Sequence, residues 1–303
     1  GGGTTPDDND NSGTLKYVRI EYGGYVFQPN KEINGLTFGA VGRGTTINHI
    51  QVSFSNDDSY EWFGGTVNCK YLVAYRGLDD DFDTDNGFSG IVQFGLGVRD
   101  PQIADNPSIS TSEGFESDNN PSDVDPAAGF TNTTAIFSNC TLIGPSKRSA
   151  SVASGYQRAL RLRRRTELKV INTVFLDFLH NYAGLTDDST IGKAYAGKLK
   201  LNNNIFAGFY GSDFTNFPTA VNPVTKTATA ANASLLGFAS GTTWNLGTWM
   251  TAHGNSTYAS SDNILAQPYN TSDLSVYSGL DYRPGTIAST GADFTDAAIA
   301  PFV

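Results

Sequence analysis

Phe82-Asp83-Thr84-Asp85 is the stretch from which the fold is read. Tyr60-Glu61-Trp62-Phe63 lies 22 residues before it (82−60), and Phe115-Glu116-Ser117-Asp118 lies 33 after it (115−82). Ile33-Asn34-Gly35-Leu36 and Tyr156-Gln157-Arg158-Ala159 extend the series at offsets of 27 (60−33) and 41 (156−115). Each copy is followed by a β-branched and aromatic run. A short, irregular repeat of strands and turns is the pattern of a solenoid, here a β-helix. Stacked strands lie about 4.8 Å apart. In such a stack Glu61, Asp83 and Glu116 form one acidic column, and Asp85 and Asp118 form a second beside it. Carboxylates this close repel unless a positive charge sits among them.

The composition supports an elongated β structure. Of 303 residues, 33 are glycine and only 17% are charged, while aromatic residues make up 12%. The net charge of −10 argues against nucleic acid or anionic lipid as a partner. The two cysteines, Cys69 and Cys140, make neither a disulfide framework nor a zinc site. Their coils stand two rungs apart, so both are expected to be free and buried. No run of apolar residues is long enough to span a membrane. The opening, Gly1 to Asp8, reads as the middle of a loop and suggests further sequence upstream.

Strand-like alternation recurs in Val18 to Tyr22, Ile50 to Phe54, Tyr71 to Tyr75 and Gln93 to Val98. Later runs open on Asn139, Asn172 and Asn203, at offsets of 33 (172−139) and 31 (203−172). Asparagines at one phase suit a rung corner, where their amides can bond from coil to coil. Residues 100–134, 144–155 and 179–198 read as loops. Trp244 to His253, followed by Gly254, reads as a short helix that caps the end of the solenoid. The expected layout is a loop over residues 1–13, the solenoid over 14–210, and final rungs, cap and extension over 211–303.

Charge is polarised along the chain. Residues 79–125 hold twelve carboxylates and one arginine, whereas residues 147–169 hold eight basic residues against Glu167. The basic run follows the acidic columns by one rung. Period-2 alternation puts Arg161 and Arg163 on the face of Glu116 and Asp118.

Leu15 to Tyr22, Glu32 to Gly39, Glu61 to Asn68, Asp79 to Asp85 and Gly114 to Asn119 together carry a resemblance. In order and in length these motifs resemble a mostly uncharacterised family of secreted or surface-anchored Bacteroidota proteins, over about residues 7–210. The resemblance implies a right-handed parallel β-helix, an exported protein and further rungs upstream. It carries no activity with it. The expected fold class is therefore all-β, a right-handed parallel β-helix with long loops and a short helical or irregular C-terminal cap.

Three uses of the acidic face follow from its chemistry. Ca²⁺ takes six to eight oxygen ligands, and Asp83, Asp85, Glu116 and Asp118 would supply several. A glycosidase needs two carboxylates about 5 to 9.5 Å apart, and a lyase needs a base beside a cation. On that reading Asp83, Glu116, Arg161 and Arg163 are the catalytic set. A sugar-binding surface would use Glu61, Trp62, Asp83 and Glu116, because rings beside carboxylates suit stacking and hydrogen bonding. Phe82, Phe115 and Tyr156 read as interior rings, and His49, His180 and His253 as structural. The expectation is an extracellular or cell-surface module that binds polysaccharide or other surface proteins, with Ca²⁺ in the acidic ladder. The rival is a polysaccharide lyase or glycoside hydrolase on the same face.

Overall fold

A computed structural model of the chain describes residues 6–28, 31–119, 131–179, 181–209, 225–270 and 272–299. Two parallel sheets wind through it as a β-helix. One sheet stacks Leu36–Gly39, Tyr60–Phe63, Phe82–Asp85, Phe115–Ser117, Arg158–Leu162 and Asn181–Leu185, each paired in parallel with the next. The other begins with Thr14–Glu21, Thr46–Ser53, Cys69–Tyr75 and Ile91–Val98. It then divides into two stacks. Ile136–Ser138, Lys169–Ile171 and Lys200–Asn202 form one. Thr141–Ile143, Val174–Leu176, Ile205–Ala207 and Ser256–Tyr258 form the other.

A column of left-handed residues bends this second sheet. Tyr17, His49, Tyr71, Phe94, Asn139, Asn172 and Asn203 all have φ between +54° and +64°. One such residue reverses the in–out alternation, so Ile47 and Ile50 are both buried although three positions apart. Asn tolerates this conformation best, and at the three Asn rungs the strand breaks in two. At the aromatic rungs it runs through, helped by ring stacking. Tyr17–His49, His49–Tyr71 and Tyr71–Phe94 have centroids 4.6, 4.5 and 5.0 Å apart. The shared property of Asn139, Asn172 and Asn203 is thus their backbone. The coil-to-coil side-chain bonds expected there lie one residue further on. Asn204 Oδ1 accepts from Thr173 N at 2.9 Å, and Asn255 Oδ1 accepts from Asn204 N at 3.0 Å.

Alternation in the first sheet sends Tyr60, Trp62, Phe82 and Phe115 inward, where all are wholly buried. Their rings stack along the axis, with centroids 5.6 Å apart for Tyr60–Phe82 and 5.4 Å for Phe82–Phe115. Full burial of such a ring stabilises by about 1.5 to 3 kcal/mol. Cys69 and Cys140 are free and buried. The register pairs the coil of Cys69 with Ile91–Val98, and that strand with the coil of Cys140.

Four details differ from the sequence reading. Tyr60 pairs with Leu36, not Ile33. Ile33 instead closes an antiparallel hairpin of Tyr25–Gln28 with Lys31–Ile33, and Asn34-Gly35 turns into the rung. Phe115 pairs with Leu160, not Tyr156. Tyr156 bridges Ser112 and donates its hydroxyl to Asp100 O at 2.7 Å, because the loop before it enters the rung four residues earlier. Residues 181–195, read as loop, form the strand Asn181–Leu185 and helix α1, Asp188–Tyr195. Asp187 caps α1 by accepting from Thr190 N. Finally, Trp244 is in a strand, and α2 (Ala233–Leu236) precedes α3, which spans Leu246–Ala252. Asn245 caps α3, and Gly254 follows at φ +74°. Among the described residues no helix is long and apolar enough to cross a membrane.

The chain beyond Ser256–Tyr258 returns along the solenoid. Ile264, Leu265 and Tyr269 pack on Val98, Ile143, Leu176 and Ala207 in a second apolar core. Tyr277 lies between Arg76 and Arg148, whose guanidinium carbons are 4.4 and 4.1 Å from its ring centroid. His49 sits in the corner stack and His253 ends α3, while His180 lies outside the described residues.

Candidate functional site: an acidic face divided by arginine

The outward positions of the first sheet form the ladder. Register places Glu61 beside Asp83, Asp83 beside Glu116, and Glu116 beside Arg161. Phe63 is beside Asp85, and Asp118 N bonds to Thr84 O at 2.9 Å, which carries Asp118 to the same level. Trp62 is one residue from Glu61 and therefore on the opposite face. It is wholly buried between Phe38 and Phe88, so the stacking role expected for it on a ligand is corrected to a core role.

A second set of acids stands in the turns that enter these strands. Asp57 and Asp58 precede Tyr60, Asp79 and Asp80 precede Phe82, and Glu113 precedes Phe115. The turns are tied from rung to rung. Asp58 Oδ1 accepts from Asp80 N at 2.9 Å, and Asp80 Oδ1 accepts from Glu113 N at 2.6 Å. The site reading missed Asp57, Asp58 and Glu113. Their signal was present in the spacing: 79−57 and 80−58 are both 22, and 113−80 is 33, the offsets of the strands themselves.

Arginines divide the face. Arg158 Nη1 lies 3.5 Å from Glu113 Oε1, and Arg161 Nη1 lies 3.0 Å from Glu116 Oε2. Arg163 pairs with the other oxygen of Glu116 and, at 2.9 Å, with Asp118. Arg164, which the sequence reading did not single out, reaches Asp118 at 2.7 Å. Glu113, Glu116 and Asp118 are 0%, 4% and 3% exposed. Asp83, Asp85, Glu116 and Asp118 thus share one face, but two of the four are bound to arginine.

The other half has no such partner. Among the described residues Asp57, Asp58, Glu61, Asp79 and Asp83 form no ion pair. Glu61 accepts from the Asn34 amide. Asp79 Oδ1 and Asp83 Oδ1 are buried and receive no hydrogen bond. One oxygen each from Asp58, Glu61 and Asp83 lies within 4.8 Å of the others, and the same holds for Asp57, Asp58 and Asp79. Two oxygens each 2.3 to 2.6 Å from a shared Ca²⁺ can be at most about 5 Å apart, so both triads have the dimensions of a calcium site.

Burial, and then mutual repulsion, hold these acids protonated well above their ordinary range. Desolvation, with Glu32 and Asp105 adding, raises Asp57 to about 7. Desolvation raises Glu61 to about 8, against the Asn34 hydrogen bond. Asp58, Asp79 and Asp83 are raised well above the usual value by burial and by neighbouring carboxylates. The ligand atoms that these acids offer are all carboxylate oxygens. That donor set suits a hard cation and not zinc, which favours nitrogen and sulfur.

Neither a search of curated proteins nor one of solved structures found a match to the chain. The model of the pectate-lyase-like beta helix domain matches residues 1–254. That is more than half of the 303 residues, and the chain belongs to the pectate-lyase-like β-helix family.

Proposed function

We propose that this chain is an exported, non-catalytic polysaccharide-binding module of the extracellular space or cell surface, with Ca²⁺ held by the arginine-free half of its acidic face. The observation that carries the reading is the division of the face. Glu116, the central acid of a catalytic reading, is buried with Arg161 and Arg163 on its two oxygens. A general acid or base must come within about 2.6 to 3.2 Å of the proton it moves, and this one is enclosed. Arg161 and Arg163, the cations a lyase would turn toward a uronate, are spent on Glu116 and Asp118. The cation belongs instead with Asp58, Glu61 and Asp83, where carboxylates meet without a counter-charge. The family supports a polysaccharide-related role.

The test combines three measurements on the intact chain. Calorimetric titration of chelator-treated protein should show Ca²⁺ binding that Asp58→Asn and Asp83→Asn abolish. A glycan array should show a bound polysaccharide or oligosaccharide. Incubation with neutral and uronate polymers should release no shortened product. Cleavage that disappears in Glu116→Gln would overturn the binding reading in favour of a lyase or hydrolase.

A further inference from the structure

Between the solenoid and its returning chain lies a crevice of about 120 Å³. We propose that this crevice is a subsite for one residue of a neutral sugar, an inference that rests on the polysaccharide-binding reading. The volume is many times the roughly 10 to 15 Å³ that a single water needs. One wall is built from three successive rungs, at Asn172, Asn203 and Ser256, and the other from Ile287 to Ala292.

The chemistry of the walls identifies the ligand class. None of the residues lining the crevice carries a charge, on a chain whose net charge is −10. An ionic ligand, a uronate included, would be stripped of water there with nothing to balance it. Asn203 and Ser256 bring an amide and a hydroxyl, each able to donate and accept, and the Thr290 hydroxyl, which donates to Ile287 O at 3.1 Å, is left to accept. Val174, Ile205 and Ile287 add apolar surface, and the Tyr258 ring, 36% exposed, lines it as well. Hydroxyl-matching groups set against apolar surface and an accessible ring fit a pyranose with one polar edge and one C–H face.

The crevice is also held in shape. Asn172 Nδ2 donates to Asp293 O, and Asp293 N donates to Asn172 Oδ1, both at 3.0 Å. Lys200 and Asn202 hold Asp296 at 3.3 and 2.9 Å. These contacts pin the returning segment beside the crevice, so the site is preformed and little ordering is needed on binding. Gly254 keeps one wall low, because a Cβ there would strike Asn203 Oδ1.

The experiment is titration of the intact chain with neutral gluco-, manno- and xylo-oligosaccharides, with oligogalacturonate as the charged control. Ser256→Trp fills the crevice from the solenoid side and Ala292→Trp fills it from the returning side. Both positions are exposed, and melting curves check that each variant is folded. Tyr258→Ala is the milder third variant. A neutral oligosaccharide should bind, both tryptophan variants should weaken it at least tenfold, and chelator should leave it unchanged. Neutral-sugar binding that survives both tryptophans overturns the crevice and leaves the module reading standing. Binding of oligogalacturonate alone also overturns the crevice. If no oligosaccharide binds, both readings fall.

Discussion

Arg161 stands directly beside Glu116 in the register of adjacent rungs, with Nη1 3.0 Å from Oε2. One rung the other way, Glu116 is beside Asp83, whose Oδ1 is buried without a donor. A single column therefore passes from compensated to uncompensated charge over one strand spacing. Repulsion between stacked carboxylates is answered at one end by the protein itself. At the other it leaves a demand that a proton or a cation must meet.

Arg161→Ala should destabilise the fold by about 3 kcal/mol, the lower end of the cost of stripping one partner from a buried ion pair, because Arg163 still holds Glu116. The Arg161→Ala/Arg163→Ala double variant should cost more than either single change. Denaturant unfolding in the presence of chelator is the measurement. Full wild-type stability in the double variant would mean that these pairs contribute nothing.

At the uncompensated end, Asp83→Asn should change sign with the metal. Without a cation, and at a pH high enough to ionise these acids, it removes one of several crowded charges, and the melting temperature should rise. With Ca²⁺ it removes a ligand, so the increment that Ca²⁺ gives wild type should be lost. That increment is about 2.7 kcal/mol at a free concentration 100 times the dissociation constant. Thermal melts of both proteins, with chelator and with Ca²⁺, test it. A lowered melting temperature in chelator would show that the carboxylates are not in conflict.

The rung pattern was legible wherever a strand kept its aromatic–acid alternation. Tyr60, Phe82 and Phe115 pair as their offsets require. Register failed at the two outer copies, where a hairpin before Leu36 and a loop before Leu160 insert residues that leave no mark on alternation. The error of four at Tyr156 was even, so Arg161 still faced Glu116. The error of three at Ile33 was odd and exchanged the faces. Trp62 was misplaced for a different reason. It was valued as a ring beside acids, although neighbours in a strand point opposite ways. The acids Asp57, Asp58 and Glu113 were hidden because turns carry no periodicity, and only their spacing ties them to the strands. The aromatic members of the left-handed corner were not legible either, since Tyr and Phe rarely adopt positive φ and the stack accounts for them.

The returning C-terminal chain should detach locally when its clamp is removed. Arg76 and Arg148 both face the Tyr277 ring, and each such contact is worth about 0.5 to 2 kcal/mol depending on desolvation. Tyr277→Ala should therefore expose residues 272–290 to protease while the main unfolding transition stays where it is, because the main solenoid core does not include Tyr277, which packs against the second cluster. Limited proteolysis with mass mapping is the check. Unchanged protection of that segment would assign its anchoring to Ile264, Leu265 and Tyr269 instead.

The metal-free protein should lose stability as pH rises from about 5 to 8.5. In the unfolded chain these acids release their protons near pH 4. Folded, burial holds Asp57 to about 7 and Glu61 to about 8, and it holds Asp58, Asp79 and Asp83 well above their ordinary range. Between those limits the folded state binds more protons than the unfolded state, so stability must fall with rising pH. The loss is complete only when pH has passed the folded values, and below pH 4 it vanishes. A cation supplies the charge that the protons otherwise remove, so saturating Ca²⁺ should flatten the same curve. Melting temperatures read across that range, in chelator and in Ca²⁺, decide the matter. A flat profile in chelator would mean that Asp58, Glu61 and Asp83 are solvated in solution, and the cation site would be withdrawn with it.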